Sequence, residues 1–305
     1  MLMGATWLRI CGKAKACRRS PPVVILIATA ALSVVCYADN AEVPRTMLKV
    51  CADPNSLPSS NKALQGYENE IAALFGRKLG LPVTYVWFPQ RMGFIRNTLT
   101  SNDTPDGTYK CDLVLSVVEH FDMAATTRPY MRSAWAMVYV KGRGLDYIQS
   151  QESLSNSTQA QRAALRIGIW DKGPATQWLA QNDLMERATP YQSMSGDADE
   201  TPGKIIERDL RQDKINLTFV WGPIAGYYAQ QIKDAEIRVI PFHNEPGLRF
   251  DFQIAMAVRV GDKLWKDRVE RLLKDNRVEI DAILKRFGVP LLPVMGNDTD
   301  GEASD

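Results

Sequence analysis

The stretch CDLVLSVVEHFDMAATTRPYMRSAWAMVYV, Cys111 to Val140, decides the fold. Asp112 to Val118 is a short, branched, apolar run of the kind that makes a buried parallel strand. It ends in Glu119 and His120, at the end where an open α/β sheet places its binding crevice. Arg128-Pro129-Tyr130 then bars a helix, because the residue before a proline is pushed toward extended geometry. A second strand, Ala134 to Val140, follows at once. A strand ending at a crevice and a proline-gated strand leading away from it predict a crossing between two lobes.

Upstream, the pattern is strand, helix, strand, helix, strand: Met47 to Ala52, the helix after Gly66 with Ile71, Leu74, Phe75 and Leu79 at helical spacing, Val83 to Phe88, Gly93 to Leu99, and Asp112 to Val118. That alternation argues a parallel sheet with right-handed crossovers. Downstream, Lys141 to Arg162 is polar and reads as a linker or a loosely packed excursion. The pattern then restarts with a strand at Leu165 to Trp170 and a helix at Gln177 to Met185. A helix follows Thr201-Pro202 with Ile205, Ile206 and Leu210 inward, then a strand at Asn216 to Trp221 and a helix at Ile224 to Ile232. After a strand at Ile237 to Pro241, Phe250 to Val258 alternates with period two and suits a return crossing; helices at Asp262 to Asn276 and Val278 to Phe287 close the chain. The fold class is therefore α/β, two lobes joined by two extended hinge crossings. Lobe 1 takes residues 39–137 and 253–294, lobe 2 takes 138–252, and the acidic tail 295–305 is unfolded.

Residues 1–38 read as a secretory signal: Arg9, Lys13, Lys15, Arg18 and Arg19 without an acid, the apolar run Val23 to Val35, and small residues around Ala38. The run is shorter than the ~20 residues of a spanning helix, so no transmembrane segment is expected once the signal is cleaved. Two other readings are open, lipidation at Cys36 and twin-arginine export through Arg18-Arg19. The leader takes five of the 37 basic residues and none of the 35 acidic ones, leaving 32 against 35. That balance removes the basic surplus a nucleic-acid binder needs. Export also places Cys51 and Cys111 where a pair is more often a disulfide than a metal or catalytic site. Cys51 lies late in its strand and Cys111 opens its own, so in parallel neighbours the Cα atoms could stand too far apart; beyond 7 Å no bond forms.

No catalytic constellation emerges. His120 and His243 are the two histidines, and neither has a metal-ligand spacing with cysteine. Glu68 and Glu70 read as first-turn acids favoured by the helix dipole. What gathers at predicted strand ends is aromatic and amide chemistry: Asp53 and Asn55; Trp87, Gln90 and Arg91; Glu119 and His120; Trp170 and Thr176; and Trp221, Tyr227 and Tyr228. Rings with a few directed polar groups suit a small-molecule cleft. Plainer roles stand beside these: Trp87 as core, Arg128 as a structural arginine rather than a ligand clamp, and His120 as a loop residue.

Six segments taken together, LKVCADPNSLP from Leu48, GYENEIAALFGRKLG from Gly66, WFPQRMGFIRNTL from Trp87, CDLVLSV from Cys111, TTRPYMRSAWAMVYV from Thr126 and WGPIAGYYA from Trp221, resemble the J-protein family of methanol-oxidation systems, MoxJ/XoxJ type. The resemblance spans about Met47 to Val294. It implies a type II periplasmic binding-protein fold and a non-catalytic periplasmic role, without a cofactor of its own, beside a quinoprotein methanol dehydrogenase and its cytochrome c. The wider superfamily includes importer receptors for small polar solutes, which is the alternative function. Amino-acid receptors of that group clamp the ligand carboxylate with an arginine where this chain has Glu119-His120, and hold the amine with an aspartate where it has Trp221-Gly222-Pro223. Losing both charges weakens a zwitterion site by several kcal/mol, at ~1.5 to 3 kcal/mol for each charge-assisted contact.

Overall fold

The computed structural model describes residues 44–192 and 200–295; the predicted leader and the predicted unfolded tail beyond Met295 lie outside them. In chain order the strands are β1 (Leu48–Ala52), β2 (Asn55–Ser56), β3 (Ser60–Asn61), β4 (Val83–Trp87), β5 (Leu113–Val118), β6 (Ala125–Thr126), β7 (Met131–Val140), β8 (Ile167–Trp170), β9 (Ala188–Tyr191), β10 (Leu217–Trp221), β11 (Ile237–Pro241) and β12 (Asp251–Val258). The helices are α1 (Tyr67–Leu79), α2 (Phe94–Asn97), α3 (Gln151–Ser155), α4 (Gln159–Ala163), α5 (Pro174–Gln181), α6 (Gly222–Gln231), α7 (Lys263–Asp275) and α8 (Arg277–Arg286), with a π-helical segment at Ile205–Leu210.

Strand β1 lies between β4 and β5, parallel to both, as the alternation predicts. The long strand β7 holds the molecule together. Its first residues, Met131 to Ala134, pair antiparallel with Ile254 to Asp251 of β12, and from Trp135 and Ala136 onward it lies between β10 and β11. The hydrogen-bonded ladder therefore runs unbroken as β4-β1-β5-β12-β7-β10-β8-β9, with β7 belonging to both halves rather than linking two separate sheets. β7 also begins three residues before the predicted Ala134, because the residues after Pro129 and Tyr130 already have β12 to pair with.

The apolar cores divide along the same line. Leu48, Val50, Ile71, Phe75, Leu113, Met256, Trp265 and Leu284 pack on one side of the crossing. Met137, Ile167, Trp178, Leu217, Phe219 and Phe250 pack on the other, with a further group around Ile205, Ile206 and Val220. Burying each such large apolar side chain contributes roughly 1.5 to 3 kcal/mol. At the crossing, Arg132 donates from Nη2 to Asp251 Oδ2 at 2.7 Å and from Nε to Oδ1 at 3.2 Å, and Asn244 donates to the same carboxylate at 2.8 Å. Helix α6 closes on the final segment through a glycine contact. A Cβ on Gly226 would stand 1.8 Å from the Gly288 carbonyl oxygen, so nothing larger fits without movement.

Three expectations change. The stretch Lys141 to Arg162 is packed rather than loose: Leu145, Ile148 and Leu154 are buried, and α3 and α4 start at capping boxes on Ser150 and Thr158. Cys111 lies before β5, with a bend at Asp112, rather than opening the strand. That bend brings its Cα to 5.6 Å from that of Cys51, and the disulfide is formed. Glu68 and Glu70 both fall in the first turn of α1 and face different ways, as expected, but only Glu70 is an ordinary surface acid. Glu70 pairs with Arg286 at the surface, whereas Glu68 is 4% exposed and one of its carboxyl oxygens, Oε1, has no hydrogen-bond partner. Burial, with the charge of Asp53 adding to it against the hydrogen bond from Ser116, pushes the Glu68 carboxyl up to about 7.

The disulfide closes a loop of 60 residues, so replacing both cysteines by alanine should cost about 4 kcal/mol in urea unfolding; an unchanged midpoint would remove the bond from the stability account. Glu68 gives a pH signature of definite sign. Its acid form is favoured in the fold, so its contribution is intact below the unfolded value of 4.5, declines as pH rises, and is lost above about 7. Glu68→Gln should therefore gain about 3 kcal/mol over wild type between pH 5 and pH 8. Parallel melting curves for the two proteins at every pH would contradict this.

Candidate functional site

The loops that leave β1 and β4 are tied to each other and to the later half of strand β5 by Asp53 and Gln90. Asp53 Oδ1 accepts from the Asn55 amide at 2.8 Å, a local turn, while Oδ2 accepts from the Gln90 amide at 2.6 Å. Gln90 in turn donates its side-chain amide to the Ser116 carbonyl at 3.1 Å. One short acidic side chain and one amide thus fix three strands near their carboxyl ends, where a crevice is expected in this architecture.

Two hollows meet there. The larger, 590 Å³, has Ser59, Tyr67 and Ser116 among its lining, with Phe94, Phe121, Met131, Trp221 and Ile254 around them. Met92, Val118 and Met123 also line it and are exposed to solvent at 81%, 40% and 51%. The smaller, 320 Å³, reaches across from Asp53, Asn55 and Pro89 to Trp135, Trp170, Lys172 and Thr201. Ser56, Gln90, Arg91, Trp221 and Ile224 border both. The hydroxyls are arranged in pairs, Ser59 with Tyr67 and Ser116 with Tyr130, each at 3.1 Å. Burial raises the Tyr67 and Tyr130 phenols well above their ordinary range, so both remain protonated and able to donate. Among the described residues no group of three or more His, Cys, Asp or Glu is placed to hold a metal ion. Rings, thioethers, hydroxyls and amides equip such a place for binding.

Of the residues singled out from sequence, Asp53, Asn55, Gln90, Arg91, Trp170 and Trp221 border one or both hollows. The others lie elsewhere. Trp87 stacks on Tyr85 with ring centroids 4.7 Å apart, because residues two apart in a strand share a face. Glu119 accepts from Gln253 at 2.7 Å on the return crossing, and His120, at a positive φ of 60°, turns its side chain to solvent. Arg128 pairs with Glu270 at 3.3 Å in a separate depression with Lys274 and Arg277. Thr176 donates to the Trp170 carbonyl at 3.3 Å, which closes a turn. Tyr227 stacks on Phe287 at 6.1 Å, and Tyr228 is buried beside it.

Sequence reasoning passed over Tyr67, Ser116, Trp135, Lys172 and the methionine rim. Trp135 was legible only as a strand residue. Its ring lies against Gly173, where a Cβ would stand 3.1 Å away, so the glycine ahead of α5 makes room for it.

No protein-family model matches the chain. It is 24% identical over 279 residues to the protein MoxJ of Paracoccus denitrificans, covering 87% of this chain and 96% of that one. It is 41% identical over 73 residues to an uncharacterised protein encoded in the cycB 3′ region of the same organism, covering 24% of this chain and 87% of that sequence. Among solved structures, the periplasmic binding protein XoxJ of Methylobacterium extorquens AM1 superposes with a TM-score of 0.64 at 29% identity, over 81% of this chain and all of the other. The two α/β units, the paired crossings and these likenesses along most of the chain agree: it belongs to the MoxJ/XoxJ-type family of periplasmic binding-protein-like proteins, on the type II periplasmic binding-protein fold.

Proposed function

We propose that this is a non-catalytic periplasmic accessory protein of a quinoprotein methanol dehydrogenase system, assisting maturation or activity of the dehydrogenase. The observation that carries this reading is the likeness to MoxJ, which extends over 87% of the chain. Its family membership also supports a periplasmic location, and no helix among the described residues is long and apolar enough to cross a membrane. The dehydrogenase and its cytochrome c are the partners in this reading. The ligand cleft is assigned to the two hollows, with Asp53, Asn55, Gln90, Arg91, Trp170 and Trp221 as its contact residues. Lobe 1 as residues 39–137 with 253–294, and lobe 2 as 138–252, is the division we adopt; the separate cores on either side of β7 support it.

A second reading, a receptor for a small polar solute, is favoured by one feature. The smaller hollow carries Asp53, Arg91, Lys172 and Glu200, charges of both signs facing across the gap.

Deleting the gene should reduce assembled, active dehydrogenase several-fold, and the chain should co-purify with the native enzyme. Full dehydrogenase activity in the deletion strain would contradict the accessory reading. For the receptor reading, thermal-shift titration against polar solutes should find a micromolar ligand whose effect Trp221→Ala weakens at least tenfold; a panel without a hit would remove it.

A further inference from the structure

The buried carboxyl of Glu68 has no use in the reading above. It does not itself line the larger hollow; it is tied to that hollow through a hydrogen bond with the Ser116 side chain and by its neighbour in sequence, Tyr67, both of which do line it. Its Oε1 is buried without a hydrogen-bond partner. The groups that act on it or feel its charge are Asp53 after β1, Tyr85 from β4, Ser116 from β5, Tyr130 ahead of β7 and Tyr67 on its own helix. None of these is a cation, and of the arginines on α8, which packs against α1, Arg286 pairs with Glu70 and Arg277 with Asp281. A buried carboxylate without a counter-charge is costly, and a positive group within ~4 to 6 Å restores its ionised form.

The hollow above is suited to bring such a group. Its lining includes four aromatic residues, Tyr67, Phe94, Phe121 and Trp221, whose ring faces attract cations, and it includes no carboxylate. The hydroxyls of Ser59 and Ser116 offer oxygen acceptors for an ammonium. Arg91 also lines this hollow, at the edge it shares with the smaller one.

We propose that the larger hollow is a binding site for an organic cation: a small molecule with an apolar body and one ammonium end, the ammonium seated near Tyr67 and Ser116 above Glu68. This goes beyond the accessory reading and does not rest on it. Because burial pushes the Glu68 carboxyl up to about 7, uptake of the cation is coupled to loss of its proton.

The test is calorimetric titration of the whole chain with benzylammonium, benzyl alcohol and benzoate at pH 6 and pH 8. Benzylammonium should bind about tenfold more tightly at pH 8 than at pH 6, and at pH 6 it should release a proton, read from buffers of different ionisation enthalpy. Benzyl alcohol should bind at least tenfold more weakly at pH 8, with no proton released, and benzoate not at all. Glu68→Gln should abolish the preference for the ammonium and its pH dependence, its folding checked by melting. The proposal is overturned if the alcohol matches the ammonium, if benzoate binds best, if no probe binds, if no proton is released, or if the variant keeps the preference. The deletion strain decides the accessory reading separately, so either can fail alone.

Discussion

Everything in this molecule hangs on the antiparallel pairing of Met131 to Ala134 with Asp251 to Ile254. A chain that must leave one α/β unit, build a second and return needs its outward and return strands side by side, or the two cores would be joined only by loops. The bidentate contact of Arg132 with Asp251 lies on this pairing, and both side chains are largely buried. A partly buried ion pair of this kind is a weak source of net stability, but separating its members is expensive. It therefore fixes the register of the crossing more than it strengthens the fold. The final segment adds a brace: Ser133 donates to the Pro290 carbonyl at 2.6 Å, and Arg132 donates to Pro293 at 3.1 Å.

The crossing also positions the site. β7 carries Met131 toward the larger hollow and Trp135 toward the smaller, four residues apart on the strand that both units share. Trp221, at the end of β10, is opposite Trp135 in the ladder and borders both hollows. Each α/β unit alone would offer only half of this lining, and the strand exchange is what makes the two halves face one another.

Much of this was legible in the sequence, and the failures have physical causes. Branched apolar runs and helical periodicity located the main strands and helices to within a few residues, and Pro129 marked where the crossing begins. β9 was missed because Ala188 to Tyr191 shows no alternation and contains Pro190, a residue suited to an edge strand. The packed excursion after β7 looked loose because Leu145, Ile148 and Leu154 are scattered among serines and glutamines, and only the tertiary contacts reveal their burial. At the site, large rings on loops after strands were readable, whereas Ser59 and Ser116 carry no signal beyond their small size. Glu68 was misread for a related reason. An acid in the first turn of a helix ordinarily faces water, and nothing local in the sequence shows that α1 turns this one beneath β5.

The central proposal is that the hollow at the joined strand ends is the working surface through which the chain serves the dehydrogenase. It is tested most directly by hydrogen exchange on the chain alone and in the presence of the native methanol dehydrogenase. The account predicts slowed exchange in residues 53–59, 90–95 and 116–123, which surround the hollow, and little change on α7 and α8. Protection confined to those two helices, or no protection anywhere, would contradict it.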